Sequence, residues 1–151
     1  MIQRIQTLFL IAAAVLSGLM MTGDLLLLNN GTGTIFSLGF SGLGEADGDP
    51  VQRLWPLTVI IAIVPLLAFT AIFLYRKRSI QMRIAMMALL LSLGTILLGA
   101  YYVYMFDRKI DVTIIWKVRS IFPLVSAILA WLAYRSILKD EILVKSYDRL
   151  R

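Results

Sequence analysis

The chain has 151 residues, of which 60% are hydrophobic and 16% are charged, and its net charge is +6. A soluble domain usually carries about 25% charged residues and could not bury so much apolar side-chain surface, so this class is excluded. The absence of Cys and His excludes disulfides, thiol chemistry, histidine-held haem, the usual zinc sites and the Ser-His-Asp or Cys-His nucleophiles. We therefore expect no catalytic residue, no metal and no cofactor, and the protein is not expected to be an enzyme.

Four apolar blocks predict four membrane-spanning helices in a single membrane domain that covers residues 1–151. The blocks cover about residues 5–21, 55–75, 84–106 and 118–138. About 20 apolar residues are needed to cross the hydrocarbon layer as a helix. A segment in lipid must also satisfy its own backbone hydrogen bonds, which favours helices. The first block is long for a signal peptide and no convincing cleavage site follows it, so we expect it to be retained. The predicted fold class is an all-α membrane protein, a four-transmembrane-helix bundle.

The distribution of basic residues predicts the orientation of the bundle, because cytoplasmic loops carry an excess of Lys and Arg. One side of the four-span arrangement holds ten basic residues: Arg4, Arg76, Lys77, Arg78, Arg83, Arg135, Lys139, Lys145, Arg149 and Arg151. The other side holds five basic residues among six acidic ones, and the five are Arg53, Arg108, Lys109, Lys117 and Arg119. We therefore expect both termini of this multi-pass protein in the cytoplasm.

The external segment 22–54 is rich in glycine and turn residues. Two β-capable runs, 25–28 and 34–40, flank an Asn-Gly pair at 30–31, and such a pair between two runs predicts a β-hairpin. An isolated hairpin is marginal in water. We therefore expect a short two-stranded external hairpin that packs on the outer end of the bundle or on a partner. The second external loop, 107–117, is short and charged.

The cytoplasmic tail, 139–151, has the pattern of a helix. Glu141 and Lys145 lie four residues apart, and Leu143 and Tyr147 fall on one face. We expect the fourth helix to continue into the cytoplasm for about three turns.

Small residues form a seam along the third span. They recur at spacings of three and four residues: Ala85, Ala88, Ser92, Thr95 and Gly99. Small side chains at this spacing let helix backbones approach closely. Packing inside the bundle is the favoured interpretation of the seam, and a face for a partner protein is the alternative.

Charged residues offer the remaining candidate contacts. Arg119 lies near the outer end of the fourth span, where it could reach the headgroups or form an outer-face ion pair with Asp24 or Asp111. On the cytoplasmic side, the short loop and the tail hold candidate contacts for lipid headgroups or a partner. These are Arg76, Lys77, Arg78, Arg83, Asp140, Glu141, Lys145, Asp148, Arg149 and Arg151.

The two ends of the chain carry a resemblance to a known family. The chain opens with Met-Ile-Gln-Arg-Ile-Gln and closes with an Asp-Glu-x-Leu-Val-x-Ser-x-Asp-Arg-Leu-Arg pattern over 140–151. Together with the four-span layout, these stretches resemble an uncharacterised family of small inner-membrane proteins of the Bacteroidota, a domain of unknown function. The resemblance implies a bacterial inner membrane and points to the tail as the informative surface. It brings no activity and no cofactor.

The leading functional hypothesis is a non-enzymatic accessory or scaffold subunit of a larger inner-membrane complex. Its partners would be membrane lipids and other integral membrane proteins or further copies of the chain, met through the seam, the external loop and the charged tail. No DNA partner is expected, whereas an acidic cytoplasmic partner such as the ribosome stays open.

Two other functional hypotheses follow. The first is a small transporter or lipid-handling protein, although the charge-free middles of the spans disfavour ion-coupled transport. A membrane-embedded enzyme comes last, and its only candidate cluster would be Asp24, Asp107, Arg108, Asp111 and Arg119.

Overall fold

The computed structural model shows a four-helix bundle with a small sheet at one end. It describes residues 2–30, 33–45, 52–75, 77–110 and 113–148, with side chains over 5–143 apart from 31–32, 46–51, 76 and 109–112. The helices are α1 (Ile2–Leu19), α2 (Trp55–Phe73), α3 (Arg78–Ile110) and α4 (Phe122–Asp148). The strands are β1 (Asp24–Asn29), β2 (Ile35–Gly39), β3 (Gly42–Glu45) and β4 (Thr113–Trp116).

The four predicted spans coincide with four helices that are long and apolar enough to cross a membrane. The apolar segments run over Ile5–Thr22, Trp55–Phe73, Arg78–Arg108 and Val118–Leu143. Large apolar side chains are exposed on the outside of the bundle, including Leu8, Leu66 and Phe73. Water would not favour such a surface, whereas lipid would.

The helices close into a ring, since each packs against its neighbours in sequence and α4 also packs against α1. One buried cluster joins all four helices: Leu10, Ala71, Ala85, Ala133 and Ile137. The chain therefore runs up and down, and the start of α1 lies at the same end as the end of α4. We call this end the basic end, after Lys77, Arg78, Arg83 and Lys139, and the opposite end the sheet end.

Two helices extend beyond the predicted spans. α3 begins at Arg78, so Arg78 and Arg83 lie on a helix and not in a loop. α4 continues to Asp148, which confirms the predicted helical extension past residue 138. A 3-10 turn over Val118–Ile121 precedes α4, and Pro123 lies in the first turn of the α-helix, where its missing N–H has no helical partner.

The predicted hairpin is confirmed by β1 and β2, which pair antiparallel with Leu28 opposite Phe36. The expectation of a two-stranded hairpin on an otherwise all-α chain is wrong in extent. The sheet has four strands in the order β3-β2-β1-β4. β4 comes from the segment 107–117, for which the sequence predicts a short charged loop. Its β-branched and aromatic residues favour a strand, but a run of four is too short to stand out until β1 offers it an edge.

The sheet is part of the folded body. Leu28 and Leu38 are buried in one cluster with Leu57 and Ile61 of α2 and Phe106 of α3. Apolar contact of this kind supplies most of the stabilisation, and hydrogen bonds fix the position of the strands. The Oγ1 of Thr58 donates to the carbonyl of Phe40 over 2.8 Å, and the hydroxyl of Ser120 donates to the carbonyl of Leu25. The starts of α2 and α4 are thus tied to the sheet.

Candidate functional site

A buried polar contact joins α1 and α4 at the basic end. The Nε2 of Gln6 donates to Oδ2 of Asp140 over 2.5 Å and to the carbonyl of Ser136 over 3.2 Å. Gln6 and Asp140 are only 5% and 7% exposed. A buried carboxylate is costly unless donors reach it, so this contact stabilises the pairing of the two helices. Gln6 belongs to the opening motif of the chain and Asp140 to the closing motif, so the two motifs meet in space.

Asp140, which the sequence predicts as a contact for a lipid or a partner, is buried against Gln6. α4 turns the Asp140 side toward α1, and the side chain is therefore enclosed between helices. Lys77 and Arg83 are exposed, whereas Arg78 and Glu141 are half-buried. A contact role for these four residues stays a prediction.

The other predicted contacts of the basic end cannot be placed. Arg76, Arg149 and Arg151 lie outside the described residues, and Lys145 and Asp148 lie on α4 with side chains outside the described part.

The predicted seam on α3 is buried over most of its length, as internal packing predicts. Its buried members are 0–3% exposed: Ala85, Ala88, Ser92 and Thr95. The two hydroxyls donate to carbonyls of their own helix, Ser92 to Ala88 over 2.8 Å and Thr95 to Leu91 over 3.0 Å. Gly99 departs from the pattern. It is half-buried, and a Cβ added to it would meet nothing within 4 Å.

The open space beside Gly99 belongs to a cavity of about 370 Å³ between α3, the start of α4 and the sheet. We call it the outer cavity. Its walls are apolar and include Ile96 and Val103 of α3, Ile114 of β4 and Pro123 of α4. Toward the sheet end it is lined by Tyr104, Asp107, Trp116 and Ser120. Tyr104 and Trp116 are themselves largely exposed, so the cavity opens to the outside of the bundle.

A positive charge lies at the rim of the outer cavity. The guanidinium carbon of Arg108 is 5.1 Å from the ring centroid of Tyr104, a cation-π distance. The apolar run of α3 ends at Phe106, directly before Asp107 and Arg108. The rim is therefore at the depth where a membrane span passes from hydrocarbon to headgroups.

The outer-face charges are arranged differently from the predicted pairs. Asp24 forms an ion pair with Lys117, with Oδ2 and Nζ 3.0 Å apart. The guanidinium of Arg119 packs against Gly23, where an added side chain would collide with it. Asp24 and Arg119 do lie at the same level, but the cation paired with Asp24 is Lys117 and not the predicted Arg119. Asp111 lies outside the described residues.

β4 is an uncovered edge of the sheet. The opposite edge, β3, is covered at Leu43, which exchanges two backbone hydrogen bonds of 2.9 Å with Gln52. In the described part of the chain no strand pairs with the outer side of β4. Ile115 and Trp116 are 44% and 71% exposed on it. An exposed apolar edge strand is a template for pairing with another chain.

Two further buried hydroxyls serve the packing of the bundle. The hydroxyl of Ser17 donates to the carbonyl of Ala13 over 2.7 Å, and the hydroxyl of Ser126 reaches the same carbonyl over 3.4 Å. No three His, Cys, Asp or Glu side chains converge as a metal site among the described residues. The sheet end offers an apolar cavity with a charged rim and an unpaired strand edge. Both features can bind a ligand or a partner.

Sequence reasoning missed three residues of these sites. Gln6 lies inside the first predicted span, where a lone polar residue signals a buried partner. The sequence predicts Lys117 in a loop and Trp116 at the membrane interface. The signal that could have shown a strand at this point is the β-branched run directly before them. That run becomes a strand only because it pairs with β1.

These features define a class of protein, a bundle of four helices of membrane-span length that is capped at one end by a four-stranded antiparallel sheet. The chain belongs to the family described as Domain of unknown function (DUF4293), which matches residues 2–150. No curated protein and no solved structure is significantly similar to the chain. The family match contains both Gln6 and Asp140, so the buried contact at the basic end lies within the family region.

Proposed function

We propose that this protein is a non-enzymatic accessory subunit of a larger assembly in the bacterial inner membrane. It docks on its partner through β4 at the sheet end. The observation that carries the proposal is the uncovered edge of β4 with Ile115 exposed on it.

The alternation of side chains along β4 supports a docking role. Ile114 and Trp116 line the outer cavity. Residues of a strand alternate between faces, so Thr113 and Ile115 point to the opposite face of the sheet. A partner segment that added a strand to β4 would gain main-chain hydrogen bonds along the edge and an apolar contact with Ile115.

The position of the sheet supports an integral membrane partner. The cluster beneath the strands contains Met20 of the turn after α1, Leu57 of α2 and Phe106 of α3, so the sheet lies on the ends of the spans. A partner that reaches β4 therefore has its own extended segment close to the membrane surface.

The proposed orientation places both termini in the cytoplasm and the sheet on the outer side. Its support is the excess of basic residues at the basic end, together with the inner-membrane location that the family resemblance implies. Reporter fusions after Arg151 and within 76–83 should report the cytoplasm, and a fusion near Gly44 should report the outside. A reversed reporter at any of the three positions contradicts the orientation.

The alternative from the sequence is a small transporter or lipid-handling protein, and a transporter would need a polar path between the spans. The outer cavity has apolar walls, and a second cavity of about 410 Å³ is lined entirely by apolar residues such as Ala14, Pro65 and Phe69. The geometry therefore favours the accessory role over transport.

Site-specific photo-crosslinking tests the accessory role. A photoreactive side chain at Ile115 should give a covalent adduct with a second membrane protein in cells. The matched control is Ile35 of the interior strand β2, which is 39% exposed but lies on a strand paired on both sides. It should give little adduct.

Purification in several mild detergents completes the test. Ile115→Glu should reduce the co-purifying partner, and Ile35→Glu should retain it. Absence of an adduct at position 115, together with a clean monomer in every detergent, contradicts the proposal. An adduct only with a second copy of this chain would also contradict a separate partner.

A further inference from the structure

We propose that the outer cavity binds one acyl chain of a phospholipid whose headgroup carries a phosphate and a primary amine. The phosphate is held by Arg108 and the amine by Asp107. This lipid site goes beyond the accessory role, because it depends on α3 and the inner face of β4 and not on the free edge of the sheet.

The shape of the outer cavity fits a chain. Its lining on α3 extends from Thr95 to Asp107, twelve positions along the helix, or about 18 Å at the α-helical rise. A volume of about 370 Å³ spread over that length is narrow. Apolar sites of this size lie in the range, about 300–1,000 Å³, that proteins use for small apolar ligands.

The cavity exists because the seam on α3 continues past the point where α4 covers it. Ala88, Ser92 and Thr95 are buried, but Gly99 one turn further faces open space. α4 begins only at Phe122, after a 3-10 turn, and among its described side chains only Pro123, in the first turn, lines the cavity. The next residue along the chain, Ala100, is exposed and lines the cavity. A lipid chain can enter from the side at this point.

The rim of the cavity carries the two charges that match a zwitterionic headgroup. Arg108 is stacked on Tyr104, which lines the cavity, and guanidinium groups bind phosphate with two parallel donors. Asp107 also lines the cavity, and a carboxylate offers about four lone-pair sites, enough for an ammonium donor beside its other contacts. An ammonium donates hydrogen bonds, whereas a trimethylated amine cannot. The pair therefore favours a primary amine over choline.

Two other cations of the sheet end are directed elsewhere. Lys117 is paired with Asp24, and Arg119 packs against Gly23. The depth of the rim is also right, since the apolar run of α3 ends at Phe106, directly before Asp107 and Arg108, and Trp116 lines the same end of the cavity. Aromatic rings prefer the level of the headgroups.

Tryptophan quenching by brominated lipids tests the site. The full chain carries Trp55, Trp116 and Trp131. A variant with Trp116 alone, made with Trp55→Phe and Trp131→Phe, reports the cavity. A variant with Trp131 alone, a residue 47% exposed on α4 that does not line the cavity, reports ordinary lipid contact. Each is placed in phosphatidylcholine vesicles with rising fractions of dibrominated phosphatidylethanolamine, phosphatidylglycerol or phosphatidylcholine.

Trp116 should be quenched to half by the ethanolamine lipid at a mole fraction about fivefold below that of the choline lipid. This factor corresponds to about one additional charged contact at the membrane surface, the one between the ammonium and Asp107. Trp131 should respond equally to the three lipids.

Two substitutions with matched controls locate the effect. Gly99→Leu should fill the cavity and abolish the preference. Gly94→Leu, on the same helix and also with nothing within 4 Å of an added Cβ, should retain it. Arg108→Gln should raise the half-quenching mole fractions of the ethanolamine and choline lipids alike by severalfold, because both lipids carry the phosphate. Arg135→Gln removes a cation 5.5 Å from the ring of Trp131 at a distance from the cavity and should leave both mole fractions unchanged.

Three results would overturn the proposal. Equal quenching of Trp116 by all three lipids would mean ordinary lipid contact only. A preference for the glycerol lipid over the ethanolamine lipid would refute the zwitterionic match. An unchanged preference in Gly99→Leu, together with unchanged half-quenching mole fractions in Arg108→Gln, would remove the site. If Gly99→Leu fails to fold, Arg108→Gln decides alone. Ile115→Glu should not affect the quenching, so failure of the docking proposal and failure of the lipid site are separable.

Discussion

The basic end and the sheet end close the same four helices in different ways. At the basic end α1 and α4 meet directly, and Gln6 and Asp140 join them with a buried hydrogen bond of 2.5 Å. At the sheet end α4 starts late, and strands from two distant segments cover the ends of the helices. The sheet closes the core, but it leaves the outer cavity and a free edge at β4.

The end with the higher charge is therefore not the end with the larger capacity for binding. The basic end carries most of the basic residues, and the sequence drew attention to it for that reason. Its central acidic residue, Asp140, is nevertheless used inside the bundle. The sheet end carries fewer cations, but its geometry leaves an apolar volume, a charged rim and an unpaired strand. Both of our proposals therefore concern the sheet end.

The largest expected effect comes from the core beneath the sheet. Leu38→Ala removes a side chain that is 0% exposed and should lower the free energy of unfolding by about 2–5 kcal/mol. Leu97→Ala, at a position 71% exposed on α3, should change it by less than about 0.5 kcal/mol. Equilibrium unfolding in mixed micelles measures both. A Leu38→Ala effect as small as that of Leu97→Ala would show that the sheet is not part of the cooperative core.

The second effect tests how tightly the sheet is closed by its glycines. Gly42 has φ +122° and its position for a Cβ lies about 3.0 Å from Cα of Arg53, so Gly42→Ala should cost about 2–3 kcal/mol. Gly33 has φ +91° but open space around it, so Gly33→Ala should cost only the conformational part, about 1 kcal/mol. The same unfolding measurement compares the pair. Equal costs would mean that the approach of the Gln52 segment to β3 does not constrain the sheet.

The third effect tests the closure of the basic end. Gln6→Ala and Asp140→Ala should each cost about 1–3 kcal/mol, because each leaves a buried polar group without its partner. The double variant should cost less than the sum of the two, by about 1 kcal/mol. Asp140→Asn retains an acceptor and should be milder. Strict additivity of the two single variants would show that the contact does not couple the ends of the chain.

The smallest effect concerns the ion pair at the sheet end. Lys117 and Asp24 have side chains 38% and 29% exposed, so solvent screens their attraction. Lys117→Met should change the free energy of unfolding by less than about 1 kcal/mol. The effect should shrink further at high salt, since the Debye length falls to about 3 Å at 1 M. A loss comparable to that of Asp140→Ala would mean that the sheet end also depends on a polar contact, and the contrast between the ends would fail.

The helical part of this fold could be predicted because its signal is local. An apolar run of span length, such as Trp55–Phe73, can be recognised without knowing which segments it packs against. The same holds for the helical tail of α4 and for the hairpin of β1 and β2. β4 could not be predicted in this way, since four residues form a strand only when β1 supplies an edge.

The candidate sites depended on contacts between distant segments. The seam on α3 was visible in the sequence, but the change from buried Thr95 to open Gly99 depends on where α4 begins. The ion pair was predicted at the right level with the wrong cation, because the choice between Lys117 and Arg119 depends on side-chain positions around Gly23.

By itself the sequence determined the number of membrane-length helices, their order and the split of charge between the two ends, because apolar length and charge are properties of the chain. The tertiary structure decided the rest. It placed Gln6 against Asp140 across nearly the whole chain, added β4 to the sheet and opened the outer cavity. Each of these requires residues far apart in sequence to meet, and only the packed bundle fixes which of them do.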